Sequence, residues 1–341
     1  MSRIALTKIA AGVFWLEVPE AELYVLCGCP ADSVKHLMKA GKIRDLDREV
    51  SSLEPGSGSF QHPHGSVTNE TGPNAILLSD LSVQKGDFAN LAEFPVLQML
   101  YRQGMLLPNH PNNTGAKPLL IGRKNVVNAQ MEYIHRGNYG LATLEEILET
   151  GVSKEKAEEM MRIKLHFAFG AIRPTTDLLE ARFVDDEPVE VLNGVHVVRK
   201  SVNCYEFNYK NESVEVDLNL GINEIYQTPY ELENHHFKRE YFSVVHTGEG
   251  DGWDINRPCM ASVISFQGKV YLIDVGPNIA HTLNSIGVDV NEVEGIFHTH
   301  AHDDHFAGLT TLVRTNHRIK YYTTALVRAS VTKKLSSLMS I

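Results

Sequence analysis

Three histidines and two aspartates occupy His300-Ala301-His302-Asp303-Asp304-His305, directly after Thr299 and the apolar stretch Gly295-Ile296-Phe297. Imidazole nitrogen is the commonest protein ligand for transition metals, and carboxylate oxygen is its usual companion. On an extended loop, residues two apart project from the same side. His300 and His302 can therefore converge on one ion, while Asp304 and His305 turn toward a second. A solvated histidine-rich loop would not need a carboxylate at this spacing, so the pattern points to metal chemistry.

His300-x-His302-x-Asp304-His305 resembles the hallmark of the metallo-β-lactamase-fold hydrolase superfamily, in which His-x-His-x-Asp-His joins a buried strand to a helix. Upstream, Val270-Tyr271-Leu272-Ile273-Asp274-Val275-Gly276 resembles the family's earlier strand, which ends in an aspartate that buttresses the loop. The resemblance runs from about Tyr241 onward. It implies two ions, most often zinc and in some members iron or manganese, whose bound hydroxide attacks a carbonyl or phosphoryl centre. His300 and His302 would hold the first ion, and Asp304 and His305 the second. Asp304 would also be the catalytic residue that orients or deprotonates the water, and Asp274 would fix the loop by hydrogen bonds.

The family completes its site with a further histidine, a bridging aspartate and a last histidine. Here no Asp or Glu follows Asp304 and only His317 remains, ahead of a strand whose start should face away from the loop. The expected fold class is therefore α/β, with an N-terminal α+β region followed by the first half of an αβ/βα sandwich, apparently truncated and a weak hydrolase on its own. His302 stands where the superfamily's di-iron oxygen reductases carry Glu, which weighs against redox chemistry. Gly248-Glu249-Gly250-Asp251-Gly252 and Gly308-Leu309 resemble the branch containing tRNA-processing ribonucleases and cyclic-nucleotide phosphodiesterases. The resemblance thus implies phosphodiester hydrolysis of a nucleotide or cyclic nucleotide. Acyl hydrolysis of a thioester or lactone, and a non-enzymatic metal sensor, stay open as alternatives.

The elements that must carry this loop can be read from periodicity. Residues 1–182 are expected to form an α+β domain, 183–235 a β-hairpin region and linker, and 236–341 the metal-bearing domain. Ile4 to Leu26 alternates as two strands, and Ala31 to Ala40 is a short helix closed by Gly41. Helices are predicted at Phe88–Gln103, Asn125–Arg136, Thr143–Glu149 and Ser153–Phe169, the third opening on the capping box Thr143-Leu144-Glu145-Glu146. Val189 to Val198 around Asn193-Gly194 and Cys204 to Leu218 read as hairpins. A strand at Tyr241–Val245, a hairpin at Cys259–Val275 and a helix at Ile279–Ile286 lead to the strand Val293–Phe297 before the loop. A helix at Phe306–Arg314, a strand at Ile319–Thr323 and a helix at Ala325–Met339 follow it. The last helix carries an apolar stripe of Leu326, Val327, Val331, Leu335, Leu338 and Met339 that needs a partner layer.

With 341 residues, 43% hydrophobic and 22% charged, the chain has the composition of a globular protein. No apolar run is long enough to span a bilayer, and Met1-Ser2-Arg3-Ile4-Ala5-Leu6 lacks a signal-peptide core, so a cytoplasmic location is expected. Four cysteines fit a reducing compartment. A net charge of −10 disfavours sequence-blind nucleic-acid binding and favours a small-molecule substrate, with oligomerisation left open. Arg314, Arg318, Lys320, Arg328, Lys333 and Lys334 form an acid-free C-terminal run that reads as a solvated face. Cys29 precedes a helix, where a thiol is reactive if exposed, but packing is the commoner role. His62 and His64 lie in a Gly- and Ser-rich stretch that reads as loop.

Overall fold

A computed structural model describes residues 3–44, 71–106 and 113–338; the loop with His62 and His64 and the end of the last helix at Met339 lie outside the described residues. The chain is mixed α/β, as expected. Its N-terminal strands are β1 (Ala5–Ala10), β2 (Val13–Val18), β3 (Leu23–Cys27), β4 (Ala75–Leu77), the short ribbon β5 (Val83–Gln84) and β6 (Asp87–Phe88), β7 (Leu119–Gly122) and β8 (Glu180–Phe183). Six of them form one sheet in the order β1-β2-β3-β4-β7-β8, antiparallel from β1 to β3 and parallel from there on. Three strands rather than two thus fill Ile4 to Cys27.

Because successive side chains point to opposite faces, this sheet has two apolar sides. Trp15, Leu26, Ile76 and Leu120 pack against helices through Leu37, Val96, Met99, Val127 and Ile134. Leu16, Val25, Leu77 and Ile121 pack on the opposite side against Val197, Tyr205, Phe207 and Val216. Those residues belong to a four-stranded antiparallel sheet of β9 (Val189–Leu192), β10 (Val195–Ser201), β11 (Cys204–Tyr209) and β12 (Glu212–Asp217). Asn193 and Gly194 make the β9–β10 turn with φ of 45° and 81°, the doubly left-handed geometry predicted for this pair. The result is three layers, helices, mixed sheet and antiparallel sheet.

The helices follow their caps. Thr143 accepts from the Glu146 N–H at 3.2 Å to start Leu144–Leu148, and Ser153 accepts from the Lys156 N–H at 3.3 Å to start Lys154–Phe167. The helix predicted from Phe88 begins only at Glu93, because Asp87 and Phe88 pair with β5. Lys124–Tyr139 ends at Gly140.

The metal-bearing segment is a third sheet, β13 (Phe242–Gly248), β14 (Ala261–Phe266), β15 (Lys269–Ile273), β16 (Val293–Phe297) and β17 (Lys320–Tyr322), in that order. Its first three strands are antiparallel, and β16 and β17 add in parallel after the Ile279–Ser285 helix and the loop. One face is core, with Val263, Val270, Leu272 and Ile296 against Ile279, Leu283 and Leu312. The other face carries exposed aromatics: Phe242, Phe266, Phe297 and Tyr322, the last two stacked with centroids 4.7 Å apart.

Two expectations change here. The helix predicted over Phe306–Arg314 is two short ones, Asp303–Phe306 and Leu309–Leu312. The break is at Gly308, whose N–H donates to the Val275 carbonyl at 2.9 Å and whose Cα lies so close to the Gly276 carbonyl that a Cβ would sit 2.3 Å from that oxygen. The stripe of the last helix, Ala325–Leu338, is not left bare either. It packs on the Lys124–Tyr139 helix, with Val331 and Leu338 buried beside Tyr133 and Leu91, so the N-terminal region supplies the partner layer. Gly308→Ala should therefore cost about 1–3 kcal/mol by forcing these backbones apart; an unchanged urea midpoint would contradict the close approach.

Candidate metal centre

The loop leaves the end of β16 beside Asp274, which follows β15. Asp274 has a left-handed backbone, φ 57°, unusual outside glycine, and is 2% exposed. Its hydrogen bonds show what holds it there. Oδ1 accepts from the Thr299 N–H at 2.8 Å, and Oδ2 accepts from the Thr299 hydroxyl at 2.7 Å and faces His305 Nδ1 at 2.8 Å. The carboxylate thus clamps both ends of the loop and leaves His305 Nε2 turned to the other side of its ring.

Within the loop, ligand atoms of His300, Asp304 and His305 all lie within 4.8 Å of one another. The rings of His300 and His305 are 4.0 Å apart, and His305 Nε2 is 3.6 Å from Asp304 Oδ2. His302 caps the short helix with extended backbone; it is exposed, with its ring 5.0 Å from that of His300. Among the described residues, the converged group therefore draws one member from the first expected pair and two from the second, and His302 stands beside it.

Charges in the loop suit a cation. Burial and the neighbouring His305 and His302 depress His300 to about 4, so it is a neutral ligand at neutral pH. Burial also opposes charge on His305, but the Asp274 hydrogen bond and the Asp304 carboxylate outweigh it and raise its pKa. Burial raises Asp304. Asp304 Oδ1 is buried with no hydrogen-bond partner in the protein, as are Ser33 Oγ and Asp303 Oδ2. All three residues line one cavity of about 20 Å³, room for a single water-sized species. Two imidazoles and a carboxylate with an unsatisfied oxygen fit a zinc-class dication with an open coordination position.

Asp303 plays a part not anticipated from its position in the motif. Tyr133 donates to its Oδ1 at 2.5 Å and Lys334 donates to the same oxygen at 2.7 Å. Lys334 also donates to the Ala301 carbonyl at 2.6 Å and to Glu93 Oε2. The sequence did carry a signal, since Lys334 falls on the apolar stripe of its helix beside Val331, Leu335 and Leu338. His298 was also missed. It is buried, with Nδ1 2.7 Å from the Tyr321 hydroxyl and its pKa lowered to about 4 by burial.

The remaining candidates lie elsewhere. His317 Nε2 meets the Val293 carbonyl at 2.9 Å, at the start of β16 and so at the opposite end from the loop. Cys29 is fully buried and its thiol is pushed up to about 12, which leaves no thiolate. Of the basic C-terminal run, Arg314 pairs with Asp87 at 2.8 Å, Lys320 with Glu294 at 2.8 Å, Lys333 with Glu146 at 3.1 Å, and Lys334 with the buried carboxylates. Among the described residues no helix is long and apolar enough to cross a membrane.

Two measurements probe the centre. Asp274→Asn should weaken zinc binding about 10–100-fold and destabilise the fold by about 1–3 kcal/mol, read by chelator competition and denaturation; unchanged zinc affinity would exclude the clamp. Zinc affinity should also rise from pH 6 to 8 as His305 loses its proton, with about one proton released per ion. Metal-free stability runs the other way. The charged His305–Asp274 pair stabilises fully below the ordinary histidine value of 6.5, and that contribution is lost as pH rises through the raised pKa. Calorimetry in two buffers and melting across this range check both signs; a zinc affinity independent of pH would refute the assignment.

Residues 242–338 match the family described as "Anti-Pycsar protein Apyc1". The chain is similar to a ribonuclease Z of Clostridium kluyveri, 37% identical over 60 residues, which are 18% of this chain and 20% of that protein. It is also similar to the crystal structure of human tRNase Z, short form, at 25% identity with a TM-score of 0.24, over 27% of this chain and 39% of that one. The chain thus spans about a fifth of the curated relative it matches. The family match encloses β13, the metal loop and the last helix through Leu338, which is the segment whose motifs resemble the metallo-β-lactamase-fold hydrolases.

Proposed function

We propose that this protein is a metal-dependent hydrolase that cleaves a phosphodiester bond in a small nucleotide. The observation that carries this is the convergence of His300, Asp304 and His305 within 4.8 Å on a loop clamped by Asp274. Similarity to a ribonuclease Z supports the bond type. A small substrate is supported by the net charge of −10, which works against a long polyanion, and by the shape of the neighbouring surface. A cleft of about 750 Å³ lies between the N-terminal region and the metal-bearing segment, a volume suited to a nucleotide-sized ligand. Lys85, His281, Asn284 and Thr310 contribute a cation and hydrogen-bonding groups to its wall, where Arg314 lies paired with Asp87. Ala31, Leu91 and Ala307 line both this cleft and the small cavity at Asp304, so the two adjoin.

Held by His300, Asp304 and His305, with His302 adjacent, a zinc-class ion would acidify water and polarise the phosphoryl oxygen. The chain's own groups do the rest. Asp304, raised by burial, accepts the proton of an attacking water on its unpartnered Oδ1. Asp274 keeps His305 in the orientation that presents Nε2. Lys85 draws the anionic ligand toward the cleft.

Purified protein should carry about one zinc-class ion per chain and hydrolyse a cyclic nucleotide or a chromogenic phosphodiester in a chelator-sensitive way. Asp304→Ala should lower that rate by at least about 100-fold. Assays of both substrates beside a tRNA and a thioester decide between readings, because turnover of the thioester alone would overturn the phosphodiester assignment and preference for tRNA would overturn the small-nucleotide one.

A further inference from the structure

The odd-numbered residues of the metal loop are all tied down, and by two different anchors. Asp274 holds Thr299 and His305. Lys334 holds the Ala301 carbonyl and the Asp303 carboxylate. Between these anchors His300 and Asp304, together with Nε2 of the anchored His305, are left to face a ligand. We infer that Lys334 is a positioning residue for the metal centre, and that through it the N-terminal region sets the geometry of the loop.

The ammonium is completely enclosed, as is the Glu93 side chain beside it. Taking a charge of this kind out of water costs several kcal/mol unless it is paired and hydrogen-bonded. Lys334 meets that requirement in full. Its three N–H donors have three acceptors, Glu93, Asp303 and the Ala301 carbonyl, and the rings of Tyr133 and Phe306 each lie 4.6 Å from Nζ. Glu93 and Tyr133 come from two N-terminal helices, Lys334 from the last helix, and Asp303 and Ala301 from the loop. Two of the three partners have a further contact: Tyr133 donates its hydroxyl to Asp303, and the Glu93 carboxylate occupies a notch beside Gly137 that a Cβ would fill, at 2.2 Å from Oε2. The ammonium therefore has no alternative place to go, and the backbone around His302 and Asp304 inherits its position.

This inference rests on the metal reading of the loop, and cobalt(II) binding separates the two. Cobalt(II) bound to the unaltered protein gives visible absorption that reports ligand geometry; failure to bind at all would overturn the metal reading itself. With binding established, the charge-neutral triple variant Glu93→Gln, Asp303→Asn, Lys334→Met leaves no unpaired buried ion. It should bind cobalt(II) at least tenfold more weakly with a shifted spectrum. Tyr133→Phe, which removes one hydrogen bond and no charge, should shift the spectrum in the same sense while folding normally. Glu146→Gln loosens the same helix pair through Arg136 and Lys333 without touching the loop. It should lower the melting temperature and leave the cobalt(II) affinity and spectrum unchanged. Unaltered cobalt(II) affinity and spectrum in Tyr133→Phe and in whichever multiple variant folds would overturn the positioning role, as would an equal change in Glu146→Gln.

Discussion

A lysine ammonium with no access to water constrains this molecule more than any other single group. Enclosure of Lys334 is tolerable only while Glu93, Asp303 and the Ala301 carbonyl are all within reach, and these lie 241, 31 and 33 residues away along the chain. Three segments must therefore dock as a set. The N-terminal layers, the last helix and the loop are coupled by one charge, so the loop acquires its shape only when the rest has folded. Burial pushes the Glu93 carboxyl well above the usual carboxylate range, against the pull of Lys334.

The same logic of compensation operates at Asp274. A left-handed aspartate carries a local cost of about 1–3 kcal/mol, and three hydrogen bonds from Thr299 and His305 offset it. The strain places the carboxylate directly beneath the loop, where an ordinary strand continuation would carry it away. On the far side of the same sheet the aromatic face of Phe242, Phe266, Phe297 and Tyr322 makes no comparable provision for the loop. The centre is thus supported from the C-terminal ends of β15 and β16 and from the N-terminal helices.

What could be read in the sequence was whatever a short window encodes. The Asn193-Gly194 turn, the Thr143 and Ser153 caps, the alternation of β9 to β12 and the His-x-His-x-Asp-His run each depend on neighbours a few residues away. The buttress role of Asp274 came instead from the family resemblance of its strand, since its partners Thr299 and His305 lie 25 and 31 residues on. The parallel strands β7 and β8 were not legible, because Leu119-Leu120-Ile121 and Glu180–Phe183 become strands only by pairing with segments that are distant in sequence. The Gly308 break depends on contact with Gly276, and the cover over the last helix depends on a layer almost 200 residues upstream. Lys334 was hidden for a related reason: a cation on a helix reads as solvated until the carboxylates that meet it are known.

Gly137 shows how closely these parts are fitted to one another. A glycine inside a helix sacrifices about 1 kcal/mol relative to alanine, yet here any side chain would strike Glu93. Helix, carboxylate, ammonium and loop therefore form a lineage trap. Replacing Glu93 alone leaves the ammonium underpaired, replacing Lys334 alone strands two acids, and filling Gly137 displaces the acid from its seat. Variants that abandon the cluster are separated from this sequence by several simultaneous changes. Natural diversity should consequently spare this buried frame as a unit.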